Sequence, residues 1–269
     1  MALTNGFTAV ARDRTPITTY GSKKIALLAV VNNLFKIYFK VNTLPLCSKL
    51  INIVEGPSGV MSHLKMFPLS DVVSYKFYIG RLKMFEDHYD EARDALRFAL
   101  RYTPLRSFKN RQRILTSLIP VEMCLGILPS EKNTTTYGLY QYGELARAVS
   151  LGNIKLFEDI MQEHQRSLIR LGVYLVLEQV KIIAYRNLFK RVHLLTNNTR
   201  LRLPIFLNIF QALGENMDID EIECIIANLI HQGKIKGYIS HDKSTLIIAK
   251  SDPFPNSAVI KKYNYNPFS

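Results

Sequence analysis

The last third of the chain constrains the fold most. Residues 218–232 (DIDEIECIIANLIHQ) put Ile219, Ile222, Ile225, Ile226, Leu229 and Ile230 on one face at helical period. Asp218 is placed to cap this helix, and Glu221, three residues on, completes a capping box. Gly233 stands where a helix stops. Two strand-like runs follow, 235–240 and 245–250, joined by His241, Asp242, Lys243 and Ser244. Helix, glycine, strand, short polar turn, strand is the order of a winged helix. Such a module grips nucleic acid or packs against a neighbouring subunit, and its charges discriminate between the two.

Upstream, helices dominate. Helical spacing predicts elements over 23–39, 44–54, two helices folded back within 70–102, then 115–125, 141–150, 154–163 and 167–195. The last is long for a globular helix and is expected to break or bend. Gly80, Ala92, Leu96, Ala99 and Pro104 have the spacing of a tetratricopeptide repeat, although Lys76 and Lys83 stand where aromatics are usual. Small residues at Gly80, Ala92 and Ala99 let two antiparallel helices approach, and Pro104 ends the second. Gly152-Asn153 reads as a second tight helix-to-helix turn. The expected organisation is therefore a mobile N-terminal arm over 1–22, helical repeats over 23–180, a winged helix over 181–255 and a tail over 256–269. The fold class is all-α, a repeat solenoid capped by a winged helix with a small β-hairpin.

Charge narrows the partners. Lys and Arg number 35 against 22 Asp and Glu, a formal net charge of +13, which suits a polyanion. Cys47, Cys124 and Cys224 are far apart, with no CxxC, and are expected to be reduced thiols. Cys224 sits among apolar neighbours and is expected in the core. The most apolar run, 168–180, is interrupted by Arg170 and Glu178 and is too short for a bilayer, so no membrane insertion is expected. Nucleotide-binding, zinc-protease and serine-hydrolase motifs are absent, and the histidines lack metal-ligand spacing. No catalytic residue, metal or cofactor is assigned. Glu86, Asp87, Asp90 and Glu91 fall at a turn between helices, where capping and solvation account for them.

Helical repeats running without a linker into a winged helix resemble the PCI domain family of proteasome-lid, COP9-signalosome and initiation-factor subunits. Within it, NNLFKIYFKVNTLPLC (32–47), YKFYIGRLKMF (75–85), ARAVSLGNI (146–154), KIIAYRNLFKRVHLL (181–195), residues 218–241 and KSDPFP (250–255) are similar to the PCI domain-containing protein 2 family. The resemblance covers roughly residues 23 to 255. It departs at the start, where that family carries a longer helical region. It implies a non-catalytic scaffold of the TREX-2 complex, found in the nucleus, including the nuclear pore, and also in the cytoplasm. The implied partners are a GANP-type PCI subunit, a small acidic disordered subunit shared with the proteasome lid, and RNA. A signalosome- or proteasome-lid-like assembly shares the fold and is the first alternative. A winged-helix DNA-binding regulator is the second.

The residues themselves weigh against the DNA regulator. The entrance of the 218–232 helix is acidic, with Glu215, Asp218, Asp220, Glu221 and Glu223, and carboxylates there repel phosphates. Basic residues lie elsewhere. Lys234, Lys236 and Lys243 are on the hairpin, and Lys181, Arg186, Lys190 and Arg191 on the preceding helix, followed by Arg200 and Arg202. Six basic residues and no acid, Arg111 and Arg113 among them, lie between Ala95 and Val121. Such clusters bind backbone phosphates without sequence preference. Tyr185, Phe189 and Tyr238 are interleaved with the charge and are either base-stacking or core residues. Ile235, Ile239, Leu246 and Ile248 alternate with polar residues, so one hairpin face must be covered. With Tyr238 they form the expected partner-binding set.

Overall fold

A computed structural model describes residues 2–56 and 59–255. The chain divides into two compact units, Met1–Leu118 and Ile119–Ser269. The first unit holds α1 (Ala2–Ala11), α2 (Leu27–Val41), α3 (Pro45–Glu55), α4 (Leu69–Phe85) and α5 (Tyr89–Tyr102), with a short 3-10 turn before α2 and another before α4. Then α6 (Phe108–Cys124) carries the chain across the unit boundary. The second unit holds α7 (Glu131–Thr136), α8 (Tyr140–Leu151), α9 (Ile154–Glu163), α10 (Gln165–Leu171) and α11 (Tyr174–Thr196). It ends with β1 (Arg200–Arg202), α12 (Leu203–Ala212), α13 (Ile219–His231), β2 (Gly237–Ser240) and β3 (Thr245–Ile248). The helical fold with a winged-helix end is the one the sequence predicts.

The first unit departs from expectation at its start. Residues 1–22 read as an arm, yet α1 is helical and Val10 and Ile17 are buried with Leu28, Val31 and Phe35. Apolar burial and one carboxylate hold this segment. Asp13 accepts from the Thr15 backbone N–H at 2.9 Å and the Lys23 N–H at 2.8 Å. Hydrogen bonds from Thr15, then from Lys23, lower its pKa to about 2.

The repeat pair forms as its small residues require. A Cβ built on Gly80 would lie 2.6 Å from Leu96 Cγ, so α4 and α5 touch where glycine leaves room. Lys83, where the repeat pattern has an aromatic, instead binds Glu86 at 3.1 Å and Glu91 at 3.3 Å. The carboxylate run at this turn is thus held by ion pairs and a hydrogen bond: Asp90 meets Arg93, and Asp87 accepts from the Tyr89 hydroxyl.

In the second unit, Gly152 has φ +65°, and an added Cβ would lie 2.6 Å from the Leu188 backbone nitrogen. Asn153 caps α9 through its side chain, which accepts from the Leu156 N–H at 3.0 Å. The helix expected over 167–195 breaks at Gly172, φ +74°, into α10 and α11. The boundary expected at 180/181 therefore falls inside the continuous α11, and the 118/119 division falls inside α6.

Candidate functional site: the outer face of the winged-helix sheet

The sequence predicts a two-stranded hairpin, and the structure adds a third strand. The order is β1-β3-β2, all antiparallel. Register sorts the side chains by face. Leu201, Leu246 and Ile239 form one row across the sheet, and Leu201 and Leu246 are buried. The rows on either side point the other way. Arg200, Ile247 and Tyr238 form one, and Arg202, Thr245 and Ser240 the other. Arg200 and Arg202 are exposed, and Tyr238 is 61% exposed. Gly237 pairs with Ile248, where a Cβ would lie 2.3 Å from Ile247 O, so only glycine fits at this crossing.

The outer face thus carries two arginines and an aromatic ring on one three-stranded sheet. Lys243 is exposed on the turn between β2 and β3. This turn is tied to α13, since His241 Nδ1 lies 2.8 Å from Glu223 Oε2. That contact raises the His241 pKa from its ordinary value, first by the hydrogen bond and then by the carboxylate charge.

Helix α13 presents acidic and uncharged side chains at its entrance. Asp218 accepts from the Glu221 N–H at 2.7 Å, and the Asp218 N–H donates to Glu221 Oε2 at 3.1 Å, so the capping box is complete. Ile222, Ile226 and Leu229 are buried, which leaves Asp220, Glu221, Cys224, Ala227 and Asn228 outward. Cys224 is therefore exposed, not core; two residues beyond Ile222, it turns to the opposite side of the helix.

The expected site residues separate. Arg186 leaves the basic surface: it is 7% exposed and donates from Nη2 to the Phe254 and Pro255 carbonyls at 2.6 and 2.9 Å. The segment ending at Pro255 covers the face Arg186 was expected to share with Lys190, which is exposed. Burial lowers the pKa of Arg186, and burial likewise lowers that of half-buried Lys234. Lys236 is exposed but paired with Asp252 at 3.0 Å, and Lys181 is paired with Glu158. Arg191 is exposed and donates to the Leu151 carbonyl at 3.0 Å. Arg111 donates to the Leu100 and Thr103 carbonyls and so finishes α5, while Arg113 is exposed. The first unit holds these last two, the second unit the others.

Of the expected partner-binding set, Ile235, Leu246 and Ile248 are buried core, because that side of the module is turned into the fold, where α13 packs against β2. Ile239 is half-buried on the same inner face, and Tyr238 alone points outward. Tyr185 and Phe189 are buried against Phe210 and Phe206, with ring centroids 6.0 and 4.7 Å apart, so neither stacks on a base. Arg200 and Arg202 were legible as charge, but nothing signalled the strand that aims them.

Among the described residues no group of three or more His, Cys, Asp or Glu is placed to hold a metal, and no helix is long and apolar enough to cross a membrane. The three cysteines form no disulfide. Burial pushes the Cys47 thiol up to about 11.

Residues 161–250, which include α11 to β3, match the PCI domain. The chain belongs to the PCI domain family. It is 41% identical over 254 residues to PCI domain-containing protein 2 homolog of Dictyostelium discoideum, covering 94% of this chain and 58% of that protein. It is 42% identical over 236 residues to PCI domain-containing protein 2 of Xenopus laevis, covering 87% and 58%. It is 31% identical over 274 aligned residues to Protein CSN12 homolog of Gibberella zeae, covering 94% and 59%. The chain thus spans a little under three-fifths of the length of these relatives. Family membership accounts for the winged helix and for the PCI blocks in the sequence.

Proposed function

We propose that this chain is a non-catalytic PCI scaffold of a TREX-2-type assembly, working in the nucleus and at the nuclear pore in mRNA export. It pairs with a larger, GANP-type PCI subunit and a small acidic subunit, and it holds single-stranded RNA on the outer face of its sheet. The scaffold part is supported by the likeness to proteins named PCI domain-containing protein 2. One observation carries the RNA part: cations and an exposed ring lie on the sheet, while the outward side of α13 is acidic or neutral.

Each element has a role the chemistry supplies. Arg200, Arg202 and Lys243 neutralise backbone phosphates, which gives salt-dependent binding with little sequence preference. Tyr238 offers a face for one base to stack on. Asp220 and Glu221 keep a duplex from seating on α13. A large charge excess steers the polyanion toward the protein.

The test measures fluorescence anisotropy of labelled oligouridylate with this chain, alone and with its PCI partner. Arg200→Glu with Arg202→Glu is expected to weaken binding, and Tyr238→Ala to weaken it with the salt slope unchanged. Parent-like binding by all these variants in the presence of the partner overturns the reading.

A further inference from the structure

The first unit carries a separate basic site that the sheet does not explain. Two hollows, of about 620 and 400 Å³, meet at Tyr102, Thr103 and Pro104, where α5 ends and the chain turns into α6. The first is walled by Arg97, Arg101 and Arg111, the second by Arg113. Neither has an acidic residue in its lining. Among the described residues, Arg101, Arg106, Lys109 and Arg113 form no ion pair, in contrast to Arg93 one turn before Arg97.

The charge continues beneath the surface. The Arg81 guanidinium packs over the rings of Phe39, Phe85 and Phe77 at 4.9, 5.8 and 5.9 Å, and its Nε has no hydrogen-bond partner. Burial lowers the Arg81 pKa, Tyr78 works against that, and the neighbouring Arg113 adds a smaller lowering. Cations without counter-charge on an apolar bed favour an incoming anion.

The floor and rim are aliphatic as well as charged. Leu105, at the corner between α5 and α6, is 80% exposed, and Leu69, which opens α4 on the other wall, is 52% exposed. Val73 and Ile114 line the second hollow with Phe77. Nucleic acid offers phosphates and flat bases, and exposed leucines add little to that. A peptide offers carboxylates, which arginine meets in bidentate pairs, and side chains that fill a hollow.

We infer that this corner of the first unit is a docking site for an acidic peptide segment of a partner protein, one carrying large apolar side chains between its carboxylates. Arg101 and Arg113 clamp the carboxylates, and apolar side chains seat in the hollow between α4 and α6 beside Leu69 and against Leu105 at the edge of the first hollow. The inference rests on the scaffold reading only in requiring a protein partner, and it does not depend on RNA binding at the sheet.

Anisotropy of a labelled short peptide alternating glutamate and leucine, titrated with the full chain, tests it. The companion probes are a glutamate–glycine peptide of the same charge and oligouridylate. The leucine peptide is expected to bind, and Arg101→Glu with Arg113→Glu to weaken it at least about tenfold, or about 1.4 kcal/mol. Leu105→Ser, at a side chain that adds little to the core, is expected to weaken it with the melting temperature unchanged. Oligouridylate binding is expected to survive these substitutions and to be weakened by Arg200→Glu with Arg202→Glu. Failure of the leucine peptide to bind, equal binding of the glycine peptide, or loss of oligouridylate binding in the Arg101/Arg113 variant each overturns the inference. Parent-like oligouridylate binding in the Arg200/Arg202 variant overturns the RNA reading alone.

Discussion

At the scale of single residues, three positions carry more structure than their side chains announce. Gly80 is one, because its missing Cβ is the space Leu96 occupies. Gly80→Ala forces α4 and α5 apart and is expected to lower stability by about 1–3 kcal/mol in urea unfolding. An unchanged midpoint would mean the helices part at no cost. Arg186 is the second. Its guanidinium satisfies two carbonyls of the C-terminal segment, so Arg186→Met leaves both without a donor, at about 1–3 kcal/mol each at most. Hydrogen exchange should then rise around residues 253–255, while an effect confined to RNA binding would return Arg186 to the surface. His241 is the third. Its pKa is raised in the folded chain, so the clasp to Glu223 is fully present below the ordinary histidine range. It is lost as pH rises through the raised value. A histidine NMR titration is expected to show His241 above the ordinary value in the parent and back at it in Glu223→Gln.

At the scale of elements, what the sequence reveals depends on periodicity. Helix α13 was legible down to its cap because six apolar residues and a capping box agree. Asp218→Ala removes that cap and is expected to cost about 1 kcal/mol in thermal unfolding; no change would mean that the Glu221 N–H finds water as readily. The repeat pair α4–α5 was legible from small residues at fixed spacing. Strand β1 was not, because three residues carry no period, and only its pairing to β3 makes it a strand. The N-terminal segment was misread because its composition is mixed, while its burial depends on distant partners in α2. Among site residues, exposure was the illegible part. Charge marked Arg186 and Lys234 as surface groups, and tertiary cover buried the first and half-buried the second. Alternation marked the hairpin's apolar face correctly, but that face is turned into the fold, with α13 packed against β2, so it is core.

At the scale of the whole molecule, the basic charge is distributed between two places with different chemistry. The sheet face of the second unit pairs arginines with one exposed ring. The corner of the first unit pairs arginines with leucines. A scaffold holding a strand at one and a peptide at the other needs no catalytic group for either task. The central claim is that nucleic acid lies on the sheet and not on α13. Oligouridylate affinity across a salt series, with the PCI partner present, tests it most directly. Arg200→Glu with Arg202→Glu is predicted to weaken binding at least about tenfold and to flatten the salt dependence by about two phosphate contacts, while Asn228→Glu on the outward side of α13 leaves both as in the parent. Parent-like affinity and slope in the arginine variant, with binding lost in Asn228→Glu, would contradict it.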